Sequence, residues 1–78
     1  MSSQTKAINE FFRLALKEDV ESILDRLVLT ERQRWIFDLK YVHGHDINYI
    51  ADMIGTSSYS VDKELKRIRS KIAKALGI

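Results

Sequence analysis

The side chains best suited to chemistry cluster in the last third of a 78-residue chain. From Lys63 onward, Lys63, Lys66, Arg67, Arg69, Lys71 and Lys74 face a single acid, Glu64. A few residues before them stand the hydroxyls of Ser57 and Ser58, candidate caps of the helix that carries these cations. Cations at that density suit a polyanion, and hydroxyls beside them can donate to phosphate oxygens or base edges. A basic helical face is more often merely solvated, so charge alone decides nothing. Other chemistry finds less support. His43 and His45 flank Gly44, but with no cysteine and no third spaced ligand they read as an exposed loop, and no metal is expected. No glycine-rich phosphate loop is present and no nucleophile stands beside an evident base. Neither an enzyme nor a cofactor is therefore expected.

These residues must be held by a small helical framework. The length allows one domain, which buries only about 60–65% of its unfolded surface. Cysteine and proline are absent and glycine occurs three times, so helix formers dominate and no disulfide can brace the fold. No apolar run is long enough to cross a membrane. Met1-Ser2-Ser3-Gln4 lacks the basic-then-apolar pattern of a leader, so a cytoplasmic protein is expected. Charge is uneven: residues 1–28 carry four basic and five acidic side chains, residues 29–78 nine basic and six acidic. Two parts with separate roles follow: an N-terminal helical extension over 1–28, packing on the core or on a partner, and a basic domain over 29–78.

Apolar spacing predicts five helices and an all-α fold. The first covers about Thr5 to Lys17, with Ile8, Phe11, Phe12, Ala15 and Leu16 as its stripe. Glu18 or Asp19 caps a second near Val20–Leu27, whose face is Val20, Ile23, Leu24 and Leu27. Thr30-Glu31-Arg32-Gln33 reads as a capping box opening a third helix that reaches about Tyr41 and buries Ile36, Phe37, Leu39 and Tyr41. Gly44 ends that region with a positive φ. Asp46 caps a fourth helix, Ile47–Ile54, with Ile47, Ile50, Ala51 and Ile54 on one side; Gly55 stops it. Ser57 or Ser58 caps the fifth, which runs to about Leu76 with Val61, Leu65, Ile68, Ile72 and Leu76 inward.

A short helix, a tight turn and a longer basic helix describe a helix-turn-helix, whose second helix usually enters the major groove of DNA. Ala51 supplies the small residue where the helices cross, Gly55 the turn, and Val61 the branched residue that locks the second helix. The resemblance extends upstream. Leu29-Thr30-Glu31-Arg32-Gln33-Arg34, Tyr41-Val42-His43-Gly44, Ile50-Ala51 and Ile54-Gly55 are followed in register by Val61, Leu65, Arg67, Arg69, Lys71 and Ile72. From Leu29 to Ala75 the chain resembles the C-terminal promoter-recognition domain, region 4, of bacterial RNA polymerase sigma factors, most of all those of the extracytoplasmic-function type. The resemblance implies base reading by Ser58, Tyr59, Asp62 and Lys63, with Ser57, Lys66 and Arg67 nearer the backbone and Arg32 and Gln33 at phosphates. It also implies double-stranded DNA as partner, with RNA polymerase or an anti-sigma protein as a further one.

Asp62 stands where the family often places a basic residue; it either accepts from cytosine N4 or repels phosphate. The chain has no room for the sigma domain that grips core polymerase, so a stand-alone regulator or one part of a split factor is expected. Trp35 occupies a position that is usually polar in the family. It either covers a gap against the N-terminal helices or anchors a protein interface. Phe11 and Phe12 point about 100° apart on one helix, so both are buried only if two surfaces cover that helix, one of which a second copy could provide. The main expectation is a sequence-specific duplex-DNA-binding transcription regulator. The alternatives are a module mimicking region 4 to bind polymerase or an anti-sigma factor, and a non-specific nucleic-acid binder.

Overall fold

In the computed structural model of the chain, residues 3–78 are described. Met1 and Ser2, part of the stretch read for a leader, lie outside the described residues. Five α-helices appear in order: α1 (Ser3–Leu14), α2 (Lys17–Arg26), α3 (Glu31–Phe37), α4 (Ile47–Ile54) and α5 (Ser58–Leu76). No strand occurs among the described residues. The fold is all-α, and it divides into two compact units. One is Leu29–Ile68; the other joins the chain up to Val28 with Arg69–Ile78.

The Leu29–Ile68 unit owes its shape to four local stops and starts. Gln33 N–H donates to Thr30 Oγ1 at 3.1 Å, and Thr30 N–H donates to Gln33 Oε1 at 3.1 Å, closing the capping box that begins α3. After Phe37 the helix widens into a π-helical turn, Asp38–Val42, closed by His43 N–H donating to the Asp38 carbonyl at 3.0 Å. Apolar spacing predicted a regular helix to Tyr41, because periodicity cannot register one extra residue in a final turn. The rings of Phe37 and Tyr41 meet across this turn, 5.2 Å between centroids. Asp46 then caps α4, its Oδ1 accepting from Tyr49 N–H at 2.8 Å. Gly55, at φ +76°, ends α4 while Thr56 N–H reaches back to the Ala51 carbonyl at 2.9 Å. A side chain with a Cβ pays for that backbone, which is why the turn holds glycine. Ser57 starts α5, its Oγ accepting from Ser60 N–H at 3.1 Å. Ile36, Phe37, Leu39, Ile50, Ala51, Val61, Leu65 and Ile68 are buried.

The second unit buries Ile8, Ile23, Ile72 and Ala73. Its helix boundaries differ from the sequence expectation. α1 stops at Leu14 rather than Lys17, and α2 begins at Lys17 rather than Val20. Asp19 does cap α2, but from inside its first turn, with Oδ2 accepting from Leu16 N–H at 3.0 Å. Leucine offers no acceptor in return, so only half of a capping box forms. Leu16 therefore leaves the predicted apolar stripe and stands 64% exposed. Phe11 and Phe12 are both half-buried, their rings tilted 48° at 5.1 Å. Three long-range bonds close the unit: Gln4 Nε2 to the Ile78 carbonyl (3.3 Å), Arg26 to that of Ala75 (3.3 Å), and Lys71 Nζ to that of Val28 (2.6 Å).

Candidate nucleic-acid interface

The start of α5 supplies the exposed chemistry. Ser58, Tyr59, Asp62, Lys63 and Lys66 are spaced to share one side of the helix. The Ser58 hydroxyl donates to Asn48 Oδ1 of α4 at 2.7 Å, which ties the head of α5 to the preceding helix. Tyr59 is 72% exposed, with Lys63 Nζ 5.6 Å from its ring centroid. That is cation–π range, so the ring restrains the lysine without neutralising it. Asp62 pairs with Lys66 at 3.3 Å one turn on. The stripe thus combines an ammonium that can donate to guanine O6 or N7, a carboxylate that can accept from cytosine N4, and a phenol able to do either.

Beside this stripe lies an open cleft of about 360 Å³, lined by Thr30, Arg32, Thr56, Ser60, Lys63, Glu64 and Arg67. The first turn of α3, the turn after α4 and the first half of α5 converge on it. Three cations and three hydroxyl-bearing residues surround one carboxylate, which gives the cleft a net positive charge suited to an anion. Arg67 is held by Glu64, whose Oε1 accepts from it at 2.7 Å. A second groove is lined by Thr30, Glu31, Arg32, Trp35 and Ile54, with Trp35 48% exposed along it.

Arg32, Lys63 and Arg67 come together; Tyr59, Asp62 and Lys66 stand on the neighbouring face, and Ser57 and Ser58 are exposed at the head of α5. Gln33 departs from expectation. It is 5% exposed and its amide oxygen is committed to Thr30, so the capping box turns it inward and Arg32 is left as the outward cation of that turn. Sequence reasoning missed Thr56, Ser60 and Glu64 as cleft residues and read Thr30 only as a cap. Their common signal was position: each stands within a helical turn of a residue already singled out. His43 and His45 stack at 6.1 Å, and His45 continues onto Tyr49 at 4.0 Å. No group of three metal-ligating side chains comes together among the described residues. No helix of the described residues is long and apolar enough to cross a membrane.

A glycine-turned pair of helices, with the second exposing polar and basic side chains from its first turn, defines a helix-turn-helix protein. The family model for sigma-70, region 4, matches residues 27–72, well over half the chain. The chain belongs to that family, a family of DNA-binding domains. The match begins two residues before Leu29 and ends at Ile72. No curated protein and no solved structure matches significantly.

Proposed function

We propose that the chain binds duplex DNA sequence-specifically as a transcription factor, with the exposed stripe of α5 in the major groove and the adjoining cleft on a flanking phosphate. The observation that carries this reading is the convergence of Arg32, Lys63 and Arg67 beside the exposed Tyr59–Lys63 pair. Lys63 belongs to both surfaces, so it links backbone positioning to base reading. Ser58, Tyr59, Asp62 and Lys63 then read bases, while Arg32, Ser57, Lys66 and Arg67 contact the backbone. Residues 29–78 carry this activity; the extension over 1–28, through Phe11 and Phe12, brings a second copy of the chain or another partner, and the protein works in the cytoplasm as a stand-alone regulator or split sigma subunit.

A second reading has its own support. The half-exposed Trp35 beside Ile54 is the kind of aromatic anchor on which protein interfaces concentrate their energy. In that reading the domain engages polymerase or an anti-sigma partner and DNA contact is weak.

Selection of bound sites from a random duplex pool separates the two. The DNA reading expects one enriched sequence. Lys63→Ala then costs about tenfold to a hundredfold on that sequence and relaxes its preference. Arg32→Ala weakens all duplexes alike and lowers the salt slope by about one, and Lys74→Ala changes little. Equal affinity for selected and random duplexes sinks the specific reading.

A further inference from the structure

Within the cationic cleft, one residue has the wrong sign for the proposed ligand. Glu64 presents a carboxylate between Lys63 and Arg67 and bonds Arg67 at 2.7 Å. Its side chain is only 17% exposed, whereas the carboxylate of Asp62 on the same helix is more open and meets Lys66 at a looser 3.3 Å. Both cations are open to solvent, Arg67 62% and Lys66 69% exposed, so solvent and salt screen both pairs, and the carboxylate of Glu64 less than that of Asp62. The two acids of α5 are therefore unequal, and Glu64 is the one whose charge the cleft feels.

Resting on the DNA-binding reading above, we infer that Glu64 is an internal stand-in for a DNA phosphate that holds Arg67 and limits the sequence-independent affinity of the cleft. A carboxylate and a phosphate offer a guanidinium the same pair of anionic oxygens. While Glu64 bonds Arg67, an incoming phosphate finds Arg32 and Lys63 ready but must compete with that carboxylate for Arg67. The consequence is a protein whose backbone grip stays weak, so that base contacts from Tyr59, Asp62 and Lys63 make a larger share of the binding. Glu64 acts through Arg67, as a residue that positions it.

Glu64→Gln keeps the shape and removes the charge. It is expected to raise affinity for selected and random duplexes alike, by about threefold to tenfold near 0.1 M salt, and to steepen the salt slope by some fraction of about 0.9, as the contact of Arg67 with phosphate loses its competitor. The same change in an Arg67→Ala background is expected to lose most of that gain. Thermal melting checks that the fold is intact; should Glu64→Gln melt early, Glu64→Asp, which shortens the reach to Arg67, carries the same expectation. Unchanged or lower affinity overturns the inference, as does a gain that persists in full without Arg67. If the wild-type chain binds no duplex at all, the DNA reading itself falls and this inference with it; a wild type that binds normally with an inert Glu64 overturns only the latter.

Discussion

The two compact units share local helix caps but differ in their longest bonds, which span ten residues in one (Ser58 to Asn48) and 43 to 74 in the other. Leu29–Ile68 is defined by bonds between residues three to five apart: Thr30 with Gln33, Asp46 with Tyr49, Ser57 with Ser60, Ala51 with Thr56. The other unit is fastened across the length of the chain by side chains reaching backbone carbonyls, Gln4 to Ile78, Arg26 to Ala75 and Lys71 to Val28. Short-range caps fix the direction in which each helix leaves its turn, within a few tenths of an ångström of one geometry. Long flexible side chains on exposed carbonyls fix little, because each gives up rotamer freedom for one solvent-competed bond. The unit in which Arg32, Lys63 and Arg67 line one cleft is the one with caps at the starts of α3, α4 and α5. Exposed large apolar side chains occur in both units, Leu14, Leu16 and Val28 in one and Trp35, Tyr49 and Tyr59 in the other, so surface apolarity does not separate them.

The largest effect that sharpens this contrast is in the core. Phe37 is fully buried in the Leu29–Ile68 unit, and Phe37→Ala is expected to cost about 3–5 kcal/mol. A chain of this size has total stability on the order of 5–10 kcal/mol, so its melting by circular dichroism should broaden and its midpoint fall by roughly 10–40 °C. Retention of a sharp transition near the wild-type temperature would break the idea that this unit is organised around Phe37.

Helix caps give the next tier, and here the two units should separate cleanly. Asp46→Ala removes the acceptor for Tyr49 N–H and is expected to cost about 1 kcal/mol. Leu16→Ala, at the equivalent position before α2, removes no cap bond and should stay within about 0.5 kcal/mol. Urea midpoints of the two variants measure both. Equal losses would break the idea that the Asp46 side chain fixes the start of α4.

That same division governs what the sequence could reveal. The capping box at Thr30, the cap at Asp46, the stops at Gly44 and Gly55 and the inward row Val61, Leu65, Ile68 and Ile72 are patterns of spacing, and spacing is what a sequence displays. The early end of α1, the exposure of Leu16, the burial of Ala73 and the π-helical turn after Phe37 depend on what each segment meets in space. The interface divides similarly. Arg32, Lys63 and Arg67 were visible as cations near turns, but Thr56, Ser60 and Glu64 joined them only when the elements converged. Gln33 was half legible: its capping role was read from spacing, and that very role turns it away from the surface where the family resemblance had put it.

The smallest expected effect is the most discriminating about charge. α1 carries a pair of the same type as Glu64–Arg67: Arg13 Nε donates to Glu10 Oε2 at 3.2 Å, an acid three residues before an arginine, but with both side chains exposed. The hydrogen bond from Arg13, and then its charge, hold the Glu10 carboxyl below its ordinary value, so the folded chain binds that proton less readily than the unfolded chain. The stability it lends is present above the unfolded carboxylate range, about 4.3, and is lost as pH falls through the lower folded value. Solvent screening leaves little of it, so Glu10→Gln should melt with the wild type at pH 7 and differ only in a slightly shallower decline at acid pH. Its DNA affinity should match the wild type throughout. Since Glu10 and Glu64 each face an arginine three residues on, a shared null result would show that covering a carboxylate among cations does not by itself make it matter. A gain for Glu64→Gln alone would show that it does.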